Sequence, residues 1–335
     1  MYTLGIDLHK DESHVVVLDD NDEIADEVRV ENANLEEVAR QYAGSKAAIE
    51  ATSNYYTVYD TLNEYLDIVV ADPSQTKALG IVEAKNDRLD AKLLAQLRSA
   101  GMIAESYVPS KELRERRALV RGRKQLVEKR TDFKNQVHAV LEQQGISYDW
   151  NPFTQKGREI LADEDLPLGT VSRTLIWSYL EVIDTLNEQI EQLEDVIQER
   201  AASLKETQLL MSIPGVSFYS SLLITSELGD IDRFDRDKEV VSFAGLDPVV
   251  RESADSRTEG GISKRCNPRL RSILVQCANV AVHKCNDEYL SSFFERLKRR
   301  KNYSIAIVAT ARKLLVSIYH MLDREEVYDP PGVSS

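Results

Sequence analysis

The apolar pattern of this 335-residue chain changes period near residue 105, and that break constrains the fold more than any single motif. Before it, short apolar runs of strand length are separated by polar turns and amphipathic helices. Tyr2 to Leu8, His14 to Leu18 and Glu23 to Val30 read as three successive strands. A helix near Leu35 to Tyr42, a buried strand Ala47-Ala48-Ile49-Glu50, a helix over Tyr56 to Tyr65 and a strand over Asp67 to Ala71 follow. Three strands, then helix, strand, helix, strand is the order expected of a ribonuclease-H-like (RuvC-like) α/β sheet.

Beyond the break the pattern is that of long helices. Leu119, Leu126, Phe133 and Val140 recur every seven residues, and Ile176, Tyr179, Ile183, Leu186, Ile190, Leu193 and Ile197 alternate steps of three and four, the seam of a coiled coil. Such a seam requires a partner, either the sister helix or another subunit, and periodicity does not choose between them. Pro152, Gly157, Pro167 and Gly169 mark a turn or connector between the two. From Leu209 a third, mainly helical region begins, with a Gly- and Ser-containing loop after Pro248. The expected organisation is therefore 1–105 metal-binding α/β domain, 106–208 long helices, 209–329 C-terminal domain and a disordered tail, 330–335.

Four acids carry the chemistry. Asp7 lies in the first strand, Glu50 closes a later one, and Asp87 and Asp90 open a helix, three residues apart and so on one face. Singly, each has an ordinary explanation as a solvated or helix-start acid. Gathered at one point, they form an all-oxygen ligand set suited to two Mg2+ ions and phosphodiester chemistry.

The net charge of −14 argues against a general polyanion binder, but its distribution is uneven. Residues 1–100 hold twenty acids against nine bases. Residues 111–134 hold ten bases against four acids, which points Arg116, Arg117, Arg121, Arg123 and Lys124 toward a phosphate backbone, the alternative being a solvated helix face. Residues 294–301 add a further +4. Arginine exceeds lysine on this acidic background, a composition that fits a protein working in concentrated salt. Cys266, Cys277 and Cys285 lack zinc spacing and read as reduced thiols. With no signal peptide and no run of membrane-span length evident, a cytoplasmic protein is expected.

Ser212-Ile213-Pro214-Gly215-Val216-Ser217 reads either as the hairpin of a helix-hairpin-helix element presenting the Gly215 backbone to phosphate, or as a plain interhelical turn. Ser253 stands in the loop after Pro248, flanked by Arg257, Lys264 and Arg265. With no histidine nearby in sequence, a protease-like triad has no local support.

Together these residues resemble the DEDD-class transposases of bacterial and archaeal insertion sequences, the IS-one-ten group of bridge-RNA-guided recombinases. Gly5-Ile6-Asp7, Ile49-Glu50-Ala51-Thr52 and Lys85-Asn86-Asp87-Arg88-Leu89-Asp90-Ala91 carry the likeness in the first domain. Ile213-Pro214-Gly215-Val216, Phe243-Ala244-Gly245-Leu246-Asp247-Pro248 and Ile262-Ser263-Lys264-Arg265 carry it in the last. The resemblance implies that Asp7, Glu50, Asp87 and Asp90 hold two Mg2+ ions and that Ser253, with Ser256 as second candidate, attacks DNA. It further implies a covalent protein–DNA intermediate, a composite site joining one subunit's acids to another's serine, and a guide RNA that selects the sites; the coiled-coil segment is expected to assemble a homo-dimer or homo-tetramer. Ala254, Ser217 and Cys266 stand where the family usually has glycine. The competing readings are a structure-selective endonuclease using water, a non-catalytic nucleic-acid binder, and an actin-like kinase, for which no glycine-rich phosphate loop follows.

Overall fold

A computed structural model describes residues 1–52, 55–73, 87–253, 256–262 and 266–330; the side chains of 87, 88 and 248–262 lie outside that description. The chain divides into two compact units, Met1–Pro109 and Ser110–Ser335.

The first unit is built on a five-stranded sheet of order β3-β2-β1-β4-β5. Its strands are β1 (Thr3–Leu8), β2 (Glu12–Leu18), β3 (Ile24–Glu31), β4 (Lys46–Glu50) and β5 (Asp67–Ala71). β1, β2 and β3 pair antiparallel, whereas β1, β4 and β5 run parallel. This mixed topology is that of an α/β ribonuclease-H-like domain. The two faces of β1 differ because its side chains alternate. Leu4, Ile6 and Leu8 join Val15, Val17, Ala47, Ile49, Ile68 and Val70 in the core under α1 (Leu35–Gln41) and α2 (Tyr55–Leu62). On the other face Val16, Leu18, Ala48 and Ala71 meet Ala91, Leu94 and Ala95 of α3 (Asp87–Ser99). A Cβ on Gly5 would lie 1.9 Å from the carbonyl oxygen of Ala91, so only glycine lets this helix settle on the central strand. The edge strand β3 is largely exposed and charged, which discourages pairing with a further strand.

The second unit begins with two long helices, α4 (Lys111–Gln143) and α6 (Thr170–Ser203), joined through α5 (Gln155–Ala162). They run antiparallel: Val137 and Leu141 pack with Ile176, Leu180 and Ile183 at one end, while Val120 shares a core with Ile197 and Ala201 at the other. The seam of α6 thus has its sister helix as partner. Ile176, Ile183, Ile190 and Ile197 are buried, whereas Tyr179, Leu186 and Leu193 remain half-buried. On α4 the buried residues are Leu113, Val120, Val137 and Leu141, while the sevenfold row Leu119, Leu126, Phe133 and Val140 stays half-buried.

The larger core collects α7 (Lys205–Met211), α8 (Phe218–Leu228), α9 (Asp237–Ala244), α10 (Pro268–His283), α11 (Glu288–Lys298) and α12 (Tyr303–Arg324). The loop expected after Pro248 is instead an antiparallel hairpin, β6 (Pro248–Ser253) with β7 (Ser256–Ile262). Its local sequence is rich in Ser, Gly and charge, which masks the strand signal. No membrane span was expected, yet α12 is long and apolar enough to cross a bilayer by length and composition. Ala306, Ile307, Ala311, Leu314, Leu315 and Ile318 are instead buried in the core of this unit. Of the expected disordered tail, 330–335, residues 331–335 lie outside the described residues.

Candidate active site

Topology gathers the four acids at one edge of the first unit. β1 and β4 are parallel neighbours whose last register pair is Ile6 with Ile49, so Asp7 and Glu50 each follow directly on that pair. Alternation puts both on the face of Gly5 and Ala48, the face that α3 covers. The direction of α3 follows from its far end. Arg98 donates to the Asp67 carboxylate at 2.7 Å, and Ser99 Oγ bonds Asp22 Oδ1 at 2.6 Å, both beside the start of β1 where Thr3 pairs Leu18 and Lys46. The helix therefore runs antiparallel to β1, and its first turn, Asp87 to Asp90, is at the edge where Asp7 and Glu50 end. The positive pole of α3 faces the same edge.

Asp7 is buried, 7% exposed, while Glu50 and Asp90 are half-buried. His9, which sequence reasoning passed over, sets its Nε2 3.2 Å from Asp7 Oδ2. Its turn is held by Asn32, whose amide donates to the carbonyls of His9 at 3.0 Å and Lys10 at 3.1 Å. A histidine two residues past the strand acid was the available signal. Among the described residues no group of three or more His, Cys, Asp or Glu side chains forms a ready metal cage; the Asp87 side chain lies outside them.

Ser253 is the last residue of β6, directly opposite Ser256, and Arg257 pairs Glu252 in the same register. The side chains of Ser253, Ser256 and Arg257, and Lys264 and Arg265 altogether, lie outside the described residues.

The five cations assigned to a phosphate backbone have partners inside the chain. Arg116 pairs with Glu206 at 2.8 Å, and Arg117 donates to the carbonyls of Ser226 at 2.7 Å and Glu227 at 3.2 Å. Arg121 makes two bonds to Glu227, at 2.7 and 2.8 Å. Arg123 pairs with Glu194 and lies 4.2 Å from the centre of the Tyr219 ring, and Lys124 is 3.6 Å from Glu128. These arginines tie α4 to α6, α7 and α8. Glu227, fully buried, also accepts from Asn267 at 2.7 Å. Burial alone would push its carboxyl up, but the bonds from Arg121 and Asn267 and the charges of Arg121 and Arg117 outweigh it and hold the carboxyl below its ordinary range. Gly215, in the turn between α7 and α8, has φ +91°, and a Cβ there would meet the Ala281 amide nitrogen at 2.8 Å. The glycine thus lets this turn seat against α10, while Ser217 caps α8 through a reciprocal box with Ser220.

The ribonuclease-H-like unit and the mainly helical unit that follows it in sequence both carry regions that match transposase families. Residues 4–145 match a transposase family of the DEDD type, described as "Transposase", and residues 207–295 match the "Transposase IS116/IS110/IS902 family". The chain belongs to this IS110-type insertion-sequence transposase family. It is 27% identical over 331 residues to the transposase for insertion sequence element IS1111A of Coxiella burnetii, covering 97% of this chain and 90% of that one. A probable family 20 transposase of Pseudomonas aeruginosa is 24% identical with 98% of both chains covered. The transposase for IS1328 of Yersinia enterocolitica is 28% identical over 69% of each.

Proposed function

We propose that this transposase cuts and rejoins DNA with Asp7, Glu50, Asp87 and Asp90 as its metal-binding acids and Ser253 as its nucleophile, and that an element-encoded RNA chooses the sequences. The observation that carries the site is the shared edge: Asp7 and Glu50 each follow the last register pair of two adjacent parallel strands, and an antiparallel helix begins there with Asp87 and Asp90. An all-carboxylate donor set at that edge fits hard divalent cations, and those four residues would hold them. Two bound Mg2+ ions would supply charge stabilisation for the entering and leaving oxygens of a phosphoryl transfer.

The chain's own part is positioning. The Ser253 oxygen forms a bond to phosphorus, one strand P–O bond breaks, and the proton lost by the serine ends on the departing hydroxyl, leaving DNA joined to protein. Rejoining reverses these steps with a second DNA end. His9 orients the buried Asp7. Base pairing with a guide RNA supplies the sequence choice that a chain of net charge −14, with its α4 arginines turned inward, is poorly equipped to make by direct readout. Exposed Leu175, Val182 and Val196 on α6 support assembly with a second copy.

The test compares Ser253→Ala with Asp7→Asn in a recombination assay and in a nicking assay with Mg2+. Loss of both activities in Asp7→Asn, and of covalent adduct and rejoining in Ser253→Ala, is expected. Full strand exchange by Ser253→Ala would refute serine attack, and selectivity unchanged by removal of the RNA would refute guidance.

A further inference from the structure

With the α4 arginines satisfied by internal partners, an exposed positive surface lies elsewhere, at the corner where α10 ends and α11 turns into α12. Arg299, Arg300 and Lys301 are exposed there, and Lys284 is exposed on the adjoining end of α10. The two ends are held side by side: His283 Nε2 lies 3.1 Å from the Tyr303 hydroxyl, and both rings pack against Phe294. Among the described residues these four side chains have no acidic partner, and the nearest acids in sequence are engaged elsewhere: Glu295 is 3.7 Å from Lys298, and Asp287 Oδ1 accepts from the Leu290 amide at 2.8 Å and the Tyr328 hydroxyl at 3.3 Å.

Two bland explanations account for only part of this. Arg296 and Lys298 lie in the last turn of α11, where cations offset the exposed carbonyls. Arg299 caps α11 and shares that pole, but Arg300 and Lys301 lie past it and just ahead of the first turn of α12, the positive pole of a 22-residue helix, where added cations are unfavourable. Solubility needs none of them in a chain of net charge −14. Like charges set together against a helix pole are relieved by an anion.

We propose that this corner is a sequence-independent contact for the phosphate backbone of duplex DNA. The inference rests on the recombinase reading above and adds a surface to it. Duplex is favoured over single strands because the corner sets four exposed cations beside one large exposed aromatic ring, Tyr303, which already has His283 against one face. The Tyr303 ring is stacked on His283, with 12° between the planes, and meets Phe294 edge-on. Charges that reach phosphates without reading bases set register and affinity, and their signature is salt dependence.

The experiment measures binding of the full chain to a duplex of arbitrary sequence across a salt series. The Arg299→Ala/Arg300→Ala/Lys301→Ala variant is compared with a charge-matched control, Lys129→Ala/Lys156→Ala/Lys238→Ala, at exposed positions elsewhere. Each phosphate left without its cation lowers the slope of log K against log salt by about 0.9, so a decrease of roughly 2 to 3 is expected for the corner variant. The control should keep the wild-type slope, and both should keep the wild-type melting curve. A corner variant with an unchanged slope, a control whose slope falls as much, or an effect confined to single-stranded RNA would overturn the proposal. Wild-type protein that binds no duplex would sink the recombinase reading as well, so the two failures are distinguishable.

Discussion

Arg121→Met is the sharpest test of how the helical unit is held together. Arg121 supplies two of the three side-chain hydrogen bonds described at the Glu227 carboxylate, whose side chain is 1% exposed. Removing it leaves a buried charge with Asn267 as the remaining side-chain donor among the described contacts and with the charge of Arg117 still acting on it. Breaking one side of a buried pair costs about 3–5 kcal/mol, and because Arg121 is itself 35% exposed, a value near 3 is expected. The loss is read by urea unfolding followed through Trp150 and Trp177, the two tryptophans, both in this unit. With a slope of about 3 kcal/mol/M or less, the midpoint should fall by about 1 M or more. Glu227→Gln should cost less, about 1–3 kcal/mol, because the amide still accepts from Asn267. Arg121→Met with Glu227→Leu should recover most of the loss, since an apolar pair of similar volume needs no compensation. The pH dependence has a definite sign. Glu227 is held below its ordinary range in the wild type, so its contribution is complete above about pH 4.3 and disappears as pH falls through the folded-state value. In Arg121→Met burial dominates and the carboxyl rises, so the gap to wild type narrows in acid. A loss under 1 kcal/mol, or a double variant no better than the single, would refute this account of the arginine. A weakened DNA affinity with unchanged stability would return Arg121 to the phosphate-binding role suggested by composition.

Gly5→Ala should unseat α3, since its Cβ would meet the Ala91 carbonyl at 1.9 Å and the Ala95 nitrogen at 2.5 Å; overpacking of about 1–3 kcal/mol or more is expected, read as faster hydrogen exchange over 91–98. Alkylation at pH 8 should label the exposed Cys285 first and spare Cys277, whose thiol burial pushes up to about 11, and mass spectrometry of the digested protein checks the order.

The first unit was largely legible because its signals are local. Alternation in Leu4-Gly5-Ile6-Asp7-Leu8 and the apolar run Ala47-Ala48-Ile49 mark strands within a few residues, and their order fits one topology. The seam of α6 was equally plain in steps of three and four. The hairpin Pro248–Ser253 with Ser256–Ile262 was not, because its strands carry serine, glycine and charge rather than an apolar alternation.

The sequence by itself determined which side chains are acids at strand and helix ends, which helices carry an apolar seam, and which family the motifs resemble. Only the tertiary structure decided that α3 runs against β1, bringing Asp90 to the edge of Asp7 and Glu50. It alone decided that the seam of α6 closes on α4, and that Arg121 meets Glu227 across 106 positions of chain while Arg299, Arg300 and Lys301 meet no acid among the described residues. The physical reason is range: periodicity and capping are set by neighbours a turn or a strand away, whereas a charge takes its partner from whatever folding brings within about 3 Å.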